Sequence, residues 1–403
     1  MNTQLQYNTS NSLNSSSIRI LIEMLMVCIS YAVLMFSAPI AFFLSATMLF
    51  GIAFFYPSSI TRVLLAICII FSGVLSFGDV PFMSDIVSYY GLYQRLMYYD
   101  IMDGIFAFNN GFEFIVPLYW AIWTLIFGDM QPLTFMFLNA LSIALLFYLW
   151  LEIYEIKKFD KKEAALCVLL ALLMFYYYMS TVILRQLYST IFILFALSQN
   201  TKPKMLLFLA IAFCCHVTAP LFFIILYLLR YHHKFGLYVI GIGSMLLLTS
   251  SFFPLIFSYV SFLPDILTSK LPYYVGYVEK FSPYNIKTFI LLGIILLGFF
   301  YRHNIDPQWR WIIIGYAIFL LGAQTYLVHL FNRFSSIYLY IPLGYFLFLV
   351  LRNDKYLLTL GCLIAFVSKI YVLYLQVIRD YPEREWSLYN YGFGGEWFYY
   401  FFQ

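Results

Sequence analysis

Apolar runs follow one another from Ile20 to Val377, and nothing else in this sequence constrains its fold so tightly. A helix needs roughly 20 apolar residues to cross the hydrocarbon of a bilayer, where each backbone N–H and C=O has to find its partner inside the protein. Full or partial spans are read at Ile20–Ser37, Pro39–Phe55, Val63–Phe77, Phe114–Phe127, Pro132–Leu151, Ala164–Met179, Val182–Ser198, Met205–Leu229, Leu237–Phe257, Thr288–Phe300, Trp311–Val328, Phe334–Leu351 and Tyr356–Val377. Continuous apolar runs lack the alternation of barrel strands, which excludes a β-barrel. The expected fold is an all-α polytopic membrane protein, a bundle of about 11 to 13 transmembrane or re-entrant helices.

Hydrophobic residues make up 63% of the 403 and charged residues 10%, so no stretch is left for a soluble domain. Residues 1–17, rich in Asn, Ser and Gln, read as a disordered start. Residues 18–403 read as a single integral membrane domain, with outer loops at 78–113 and 263–287 and a tail at 377–403. Ile20–Ser37 lacks a convincing small-residue cleavage site, so it reads as a retained first span rather than a signal peptide. The net charge of +4 is thinly spread and argues against nucleic acid as a partner. Cys28, Cys68, Cys167, Cys214, Cys215 and Cys362 all fall inside apolar runs without zinc or redox spacing, which favours core packing.

Basic residues orient the bundle. The loop Glu152–Glu163 holds Lys157, Lys158, Lys161 and Lys162, and Lys202 with Lys204 forms a second basic turn. The positive-inside rule puts both in the cytoplasm, which carries Arg185 toward the outer face. With Arg19 and Arg62 also inside, the loop Gly78–Glu113 lies outside, and Pro132–Leu151 runs back inward. Phe114–Phe127 is then expected to enter and return rather than cross, since it is short and Pro117 is expected to break it. Met205–Leu229 carries His216 and Pro220 near its middle and basic residues at both ends. It is either a bent hairpin with His216 near its apex or one long tilted helix. The hairpin would put Leu263–Lys287, His329–Arg333 and the tail on the same side as Arg185.

Against this apolar background three groups stand out. Arg185 lies in the run Ser180–Ser198, His216 in Leu206–Leu229, and Arg333 opens Phe334–Leu351. A charge at the bilayer centre costs at least ~2.5–3.5 kcal/mol on insertion scales, so such groups call for an anionic partner. Guanidinium is planar and permanently charged and binds phosphate oxygens in bidentate fashion. No acid lies in an adjoining span to pair with Arg185, which favours a phosphate ligand over an internal ion pair. Arg333 sits at a span end, where simple snorkelling is the plainer alternative. His216 either donates to a phosphate or hydrogen-bonds a broken backbone.

The first outer loop offers carboxylates. Asp85, Tyr89 and Tyr93 are spaced by four and share a face if helical, with Ser84 or Asp85 as cap. Asp85 is the first candidate for a base that accepts a proton from an attacking sugar hydroxyl, and Glu113 the second. The plainer alternative is an aromatic belt with an exposed acid. Tyr89, Tyr93 and Gln186 are candidate glycan contacts, because a tyrosine offers an apolar face and a polar tip. Further tyrosines crowd 273–284 and 389–400.

An ordered set of short motifs from about Phe77 to Leu351 resembles the Wzy/EpsG-like family of bacterial polysaccharide polymerases. It comprises Ser84-Asp85-Ile-Val-Ser-Tyr89, Phe112-Glu113-Phe114, Leu184-Arg185-Gln186, Phe213-Cys-Cys-His216-Val-Thr-Ala and Asn332-Arg333-Phe334. Where the family usually shows Ser after the His, this chain has Val217-Thr218-Ala219. The resemblance implies a multi-pass glycosyltransferase of the bacterial inner membrane, acting at its periplasmic face, with outer loops forming a glycan–lipid site. It would transfer a growing O-antigen or exopolysaccharide chain from undecaprenyl pyrophosphate to a lipid-linked repeat unit. Asp85 or Glu113 would serve as base, and Arg185, Arg333 and His216 would clamp the leaving pyrophosphate, where pre-placed cations stabilise growing charge. Neither a metal nor a cofactor is expected. The implied partners are the two lipid-linked oligosaccharides, membrane lipid and a chain-length regulator protein. A lipid-linked oligosaccharide flippase or transporter, which also needs intramembrane cations and broken helices, is the main alternative. An O-antigen ligase would run the same chemistry with another acceptor. A sugar-modifying acyltransferase could use His216 but leaves Asp85 and Arg333 unexplained.

Overall fold

The computed structural model describes residues 2–55, 57–78, 85–248, 307–322 and 340–378, with 293, 296–297, 299–301, 303 and 305–306. Helices dominate these residues and none is in a strand. Four helical stretches among them are long and apolar enough to cross a membrane: Ser17–Leu34, Ser59–Phe77, Pro132–Lys158 and Lys355–Tyr374. Shorter apolar helices accompany them, and the chain is an all-α, multi-pass membrane protein. The chain divides into two compact units. One comprises Met1–Tyr98, Trp123–Leu184 and Thr359–Gln403, the other Tyr99–Ile122 and Arg185–Leu358.

In the first unit, helix α1 spans Asn2–Leu34 and so takes in the polar stretch expected to be disordered. Its apolar part bears Ile20, Leu21, Met24 and Leu25 exposed, as suits a lipid-facing helix. Helices α2 (Ala38–Ala53) and α3 (Ser59–Phe77) pack against each other and against α1. Glu23, buried in α1, ties this end together. It accepts from Arg19 Nε at 3.0 Å, Thr61 Oγ1 at 2.7 Å and the Ser58 N–H at 3.2 Å. Helix α4 (Asp85–Tyr98) comes next, with α5 (Ile101–Ile105) beyond it in the other unit. Helix α6 (Ile115–Phe127) follows, and then α7 (Pro132–Trp150), which continues through a π-helical turn at Leu151–Glu155. At that turn Glu152 receives Arg62 Nη2 at 2.7 Å, so Arg62 and the lysine-rich loop share one end of this unit, as the charge pattern predicts. Helix α8 (Lys161–Met174) leads from the lysines to Phe175. The last helix of the unit carries Lys369, whose Nζ donates to the Phe175 carbonyl at 2.9 Å between the rings of Phe77 and Tyr177. Lys369 is thus buried near the end opposite the lysine loop.

Pro117 corrects one expectation. It stands in the first turn of α6, where its missing N–H has no intrahelical partner to lose, and the helix continues through it. Its 13 residues rise about 20 Å, short of the ~30 Å hydrocarbon.

The second unit's longest stretch follows the short α9 (Met179–Val182) of the first. Helices α10 (Leu184–Leu197) and α11 (Lys202–Cys215) turn back on each other, with the rings of Phe195 and Phe208 stacked at 5.2 Å. The run Met205–Leu229 breaks at His216, and α12 (Ala219–Tyr231) starts with Pro220 in its first turn. Arg230, at the far end of α12, donates to the Leu197 carbonyl beside the Lys202 turn. A straight helix would carry Arg230 some 40 Å from Lys202. The segment is therefore a hairpin with His216 at its apex and its basic flanks together. Helix α13 (His233–Leu248) reverses again across a turn so tight that a Cβ on Gly236 would come within 2.7 Å of the Leu229 N. Helix α14 (Pro307–Gly322) runs alongside α13 in the same direction, with Trp311 stacked on His233 at 4.4 Å and Gly315 near Ile240. Helix α15 (Leu343–Leu351) packs Tyr345 and Phe346 on Trp309. Helix α16 (Lys355–Ile378) carries the chain back into the first unit and holds the Lys369 described above.

Candidate functional site

The apex of the α11–α12 hairpin brings a carboxylate, a guanidinium and an imidazole together. Three consecutive residues with positive φ, Asn109 (46°), Asn110 (54°) and Gly111 (87°), turn the chain sharply before Phe112 and Glu113. Asn and Gly tolerate this left-handed region best. The turn delivers Glu113, fully buried, to a point that two other segments reach. Arg185 comes from the first turn of α10 and its Nη1 donates to Glu113 Oε2. His216 comes from the break between α11 and α12, its Nδ1 2.8 Å from Glu113 Oε1. The N–H of Val217 donates to the same oxygen at 2.9 Å. The guanidinium also lies over the ring of Phe108, 3.9 Å from its centroid.

Burial alone would push the Glu113 carboxyl up. The hydrogen bond and charge of His216, the charge of Arg185 and the Val217 N–H more than offset this and hold it well below the usual carboxylate range. Glu113 is therefore a carboxylate at neutral pH and the common hydrogen-bond acceptor of an arginine and a histidine. Here the structure overturns the expectation that Arg185 has no acid to pair with. The partner comes from the loop before α6, 72 residues away in sequence, and no span-by-span scan would find it.

The remaining sequence candidates fall elsewhere. Asp85 is the exposed first residue of α4, in the other unit. Tyr89 and Tyr93 do share one face of that helix, as their spacing predicts, but the face is buried. The Tyr93 hydroxyl donates to the Gly128 carbonyl, Tyr90 to that of Met130 at 2.8 Å, and Tyr98 to Asp129 at 2.7 Å. These tyrosines pin the turn between α6 and α7, so the glycan contact expected of Tyr93 does not fit its place. Gln186 is buried beside Arg185. Arg333, Ser84, the loop 263–287 and the tyrosines of the tail lie outside the described residues. Sequence reasoning missed Phe108 and the Val217 N–H. Asn-Asn-Gly is a turn signal that pointed to the first, and a backbone donor carries no side-chain signature. The Val217-Thr218-Ala219 departure is also explained, since position 217 contributes its backbone.

Fold and site together define a multi-pass, all-α membrane protein with a Glu–Arg–His cluster, built on a buried glutamate, at a helix-hairpin apex. The chain belongs to the EpsG family, whose model matches residues 63–391, a family of polysaccharide polymerase-like membrane proteins. Its role is accordingly polymerase-like, in polysaccharide biosynthesis. No curated protein and no solved structure matches the chain.

Proposed function

We propose that this protein is a glycosyltransferase that polymerises lipid-linked oligosaccharide repeat units at the outer face of the bacterial inner membrane. The growing glycan on undecaprenyl pyrophosphate is the donor, and a single repeat unit on the same carrier is the acceptor. An acceptor hydroxyl attacks the donor anomeric carbon and undecaprenyl pyrophosphate leaves.

The observation that carries this reading is the cluster of Glu113, Arg185 and His216 at the hairpin apex. Helix α10 has 14 residues and α11 has 14, so the cluster stands about 20 Å from the Lys202–Lys204 turn. Arg230, His232, His233 and Lys234 sit at the lysine end as well, beside the return of α12. If that basic end is cytoplasmic, the cluster faces outward. A guanidinium fixed by a carboxylate at one edge and a ring on its face is pre-organised to meet pyrophosphate charge without rearranging. Arg333, on the segment that follows α14, is the second cation we assign to that leaving group.

The test is the glycan ladder of a deletion strain complemented with wild type, Asp85→Asn or Arg185→Ala. Wild type is expected to restore the ladder, and Arg185→Ala, expressed at normal level, to give single-unit product only. A normal ladder from Arg185→Ala would sink the site. Loss of even the single-unit band in the deletion would favour a flippase, and polymer retained on the lipid carrier a ligase.

A further inference from the structure

A polymerisation step needs a group that removes the proton of the attacking hydroxyl. Glu113 is poorly suited to it. Oε2 is bonded to Arg185, and Oε1 to both His216 and the Val217 N–H. A carboxylate held by three donors has little basicity left, and general-base efficiency falls with basicity.

The same contacts prepare a different base. A carboxylate only accepts hydrogen bonds, so the His216 nitrogen facing Glu113, Nδ1, carries the proton. The tautomer that this contact selects has its lone pair at Nε2. Glu113 fixes the tautomer and the ring orientation, and its charge stabilises the imidazolium once a proton arrives, the arrangement by which an acid orients a histidine base. The helix break is also explained. Within a continuous helix the backbone N–H of Val217 would be used internally. At the apex it is released, and it anchors the same carboxylate.

We propose that His216 is the catalytic base of the transfer and that Glu113 is its positioning residue; this rests on the polymerase reading given above. The acceptor oxygen forms the new bond to the anomeric carbon as its proton passes to His216 Nε2. The anomeric carbon–phosphate oxygen bond breaks and its electron pair leaves with the lipid pyrophosphate. The imidazolium then releases its proton to water.

The experiment uses the purified full-length protein in nanodiscs, supplied with lipid-linked repeat units extracted from the deletion strain. Chain extension is followed for wild type, His216→Ala, His216→Gln, Glu113→Gln and Asp85→Asn, with and without added imidazole. His216→Gln is expected to slow extension by ~100-fold or more. His216→Ala is expected to be equally slow and to be accelerated several-fold by imidazole, which a role confined to folding or to pyrophosphate binding would not produce. Extension by His216→Gln at the wild-type rate overturns the proposal, as does a His216→Ala protein that imidazole does not accelerate. Failure of wild type to extend any chain would remove the polymerase reading itself, and the base assignment with it.

Discussion

Glu113 holds an arginine from a helix and a histidine from a helix break, and the consequences at residue scale follow from its charge. Removing one partner of a buried ion pair leaves the other charge uncompensated, which costs roughly 3–5 kcal/mol. Glu113→Gln is therefore expected to lower the unfolding temperature of the detergent-solubilised protein markedly. The pH dependence has a definite sign. The carboxyl is lowered in the folded state from its ordinary value of 4.5, so its contribution is fully present above that value and is lost as pH falls below it. The difference in unfolding temperature between wild type and Glu113→Gln should thus be present at neutral pH and shrink on acidification below 4.5. A gap that widens in acid would contradict the assignment. Arg185 was visible in the sequence as a charge in an apolar run. Its partner was visible only as a second-choice base, because a loop carboxylate gives no sign of which helix it will meet.

At the scale of elements, two turns position the site. The Asn109–Gly111 turn has Gly111 at φ 87°, where a Cβ would lie 3.3 Å from the Phe106 ring. Gly111→Ala is expected to cost about 1 kcal/mol and to reduce chain length on the glycan ladder, because Glu113 is displaced from its donors. Unchanged ladders with normal expression would show that the turn has no role in placing Glu113. The α12–α13 turn is less forgiving. At Gly236 the obstacle is the Leu229 backbone itself, so Gly236→Ala is expected to reduce folded yield in membrane extracts rather than activity per molecule. The hairpin at His216 was one of two alternatives the sequence allowed. Charge at both flanks favoured it, yet only the bond from Arg230 to the Leu197 carbonyl decides it. Pro117 and Pro220 teach the complementary lesson, since a proline inside an apolar run marks a helix start as readily as a break.

For the whole molecule, the hairpin makes a topological prediction within the second unit. Asp103 and Lys204 are both exposed. In a cysteine-free background, Asp103→Cys is expected to react with a membrane-impermeant maleimide from the outside of intact cells. Lys204→Cys is expected to react only after the membrane is opened. The reverse pattern would turn the site toward the cytoplasm and remove the outer-face reading. Exposed apolar side chains on α1 and α16, among them Leu25, Leu363 and Val367, are the faces such a membrane would cover.

The sequence by itself determined the class of fold, since apolar runs without alternation leave only helices that satisfy their own backbone. It also picked out Arg185, His216 and Glu113, because a polar group in or beside an apolar segment is costly and has to be answered. Only the tertiary structure decided that these three answer one another, and that Tyr93 pins a turn rather than facing a sugar. Contacts between residues some 70 to 100 positions apart depend on where helices end and reverse, and helix reversal is set by three-dimensional packing that periodicity and charge do not encode.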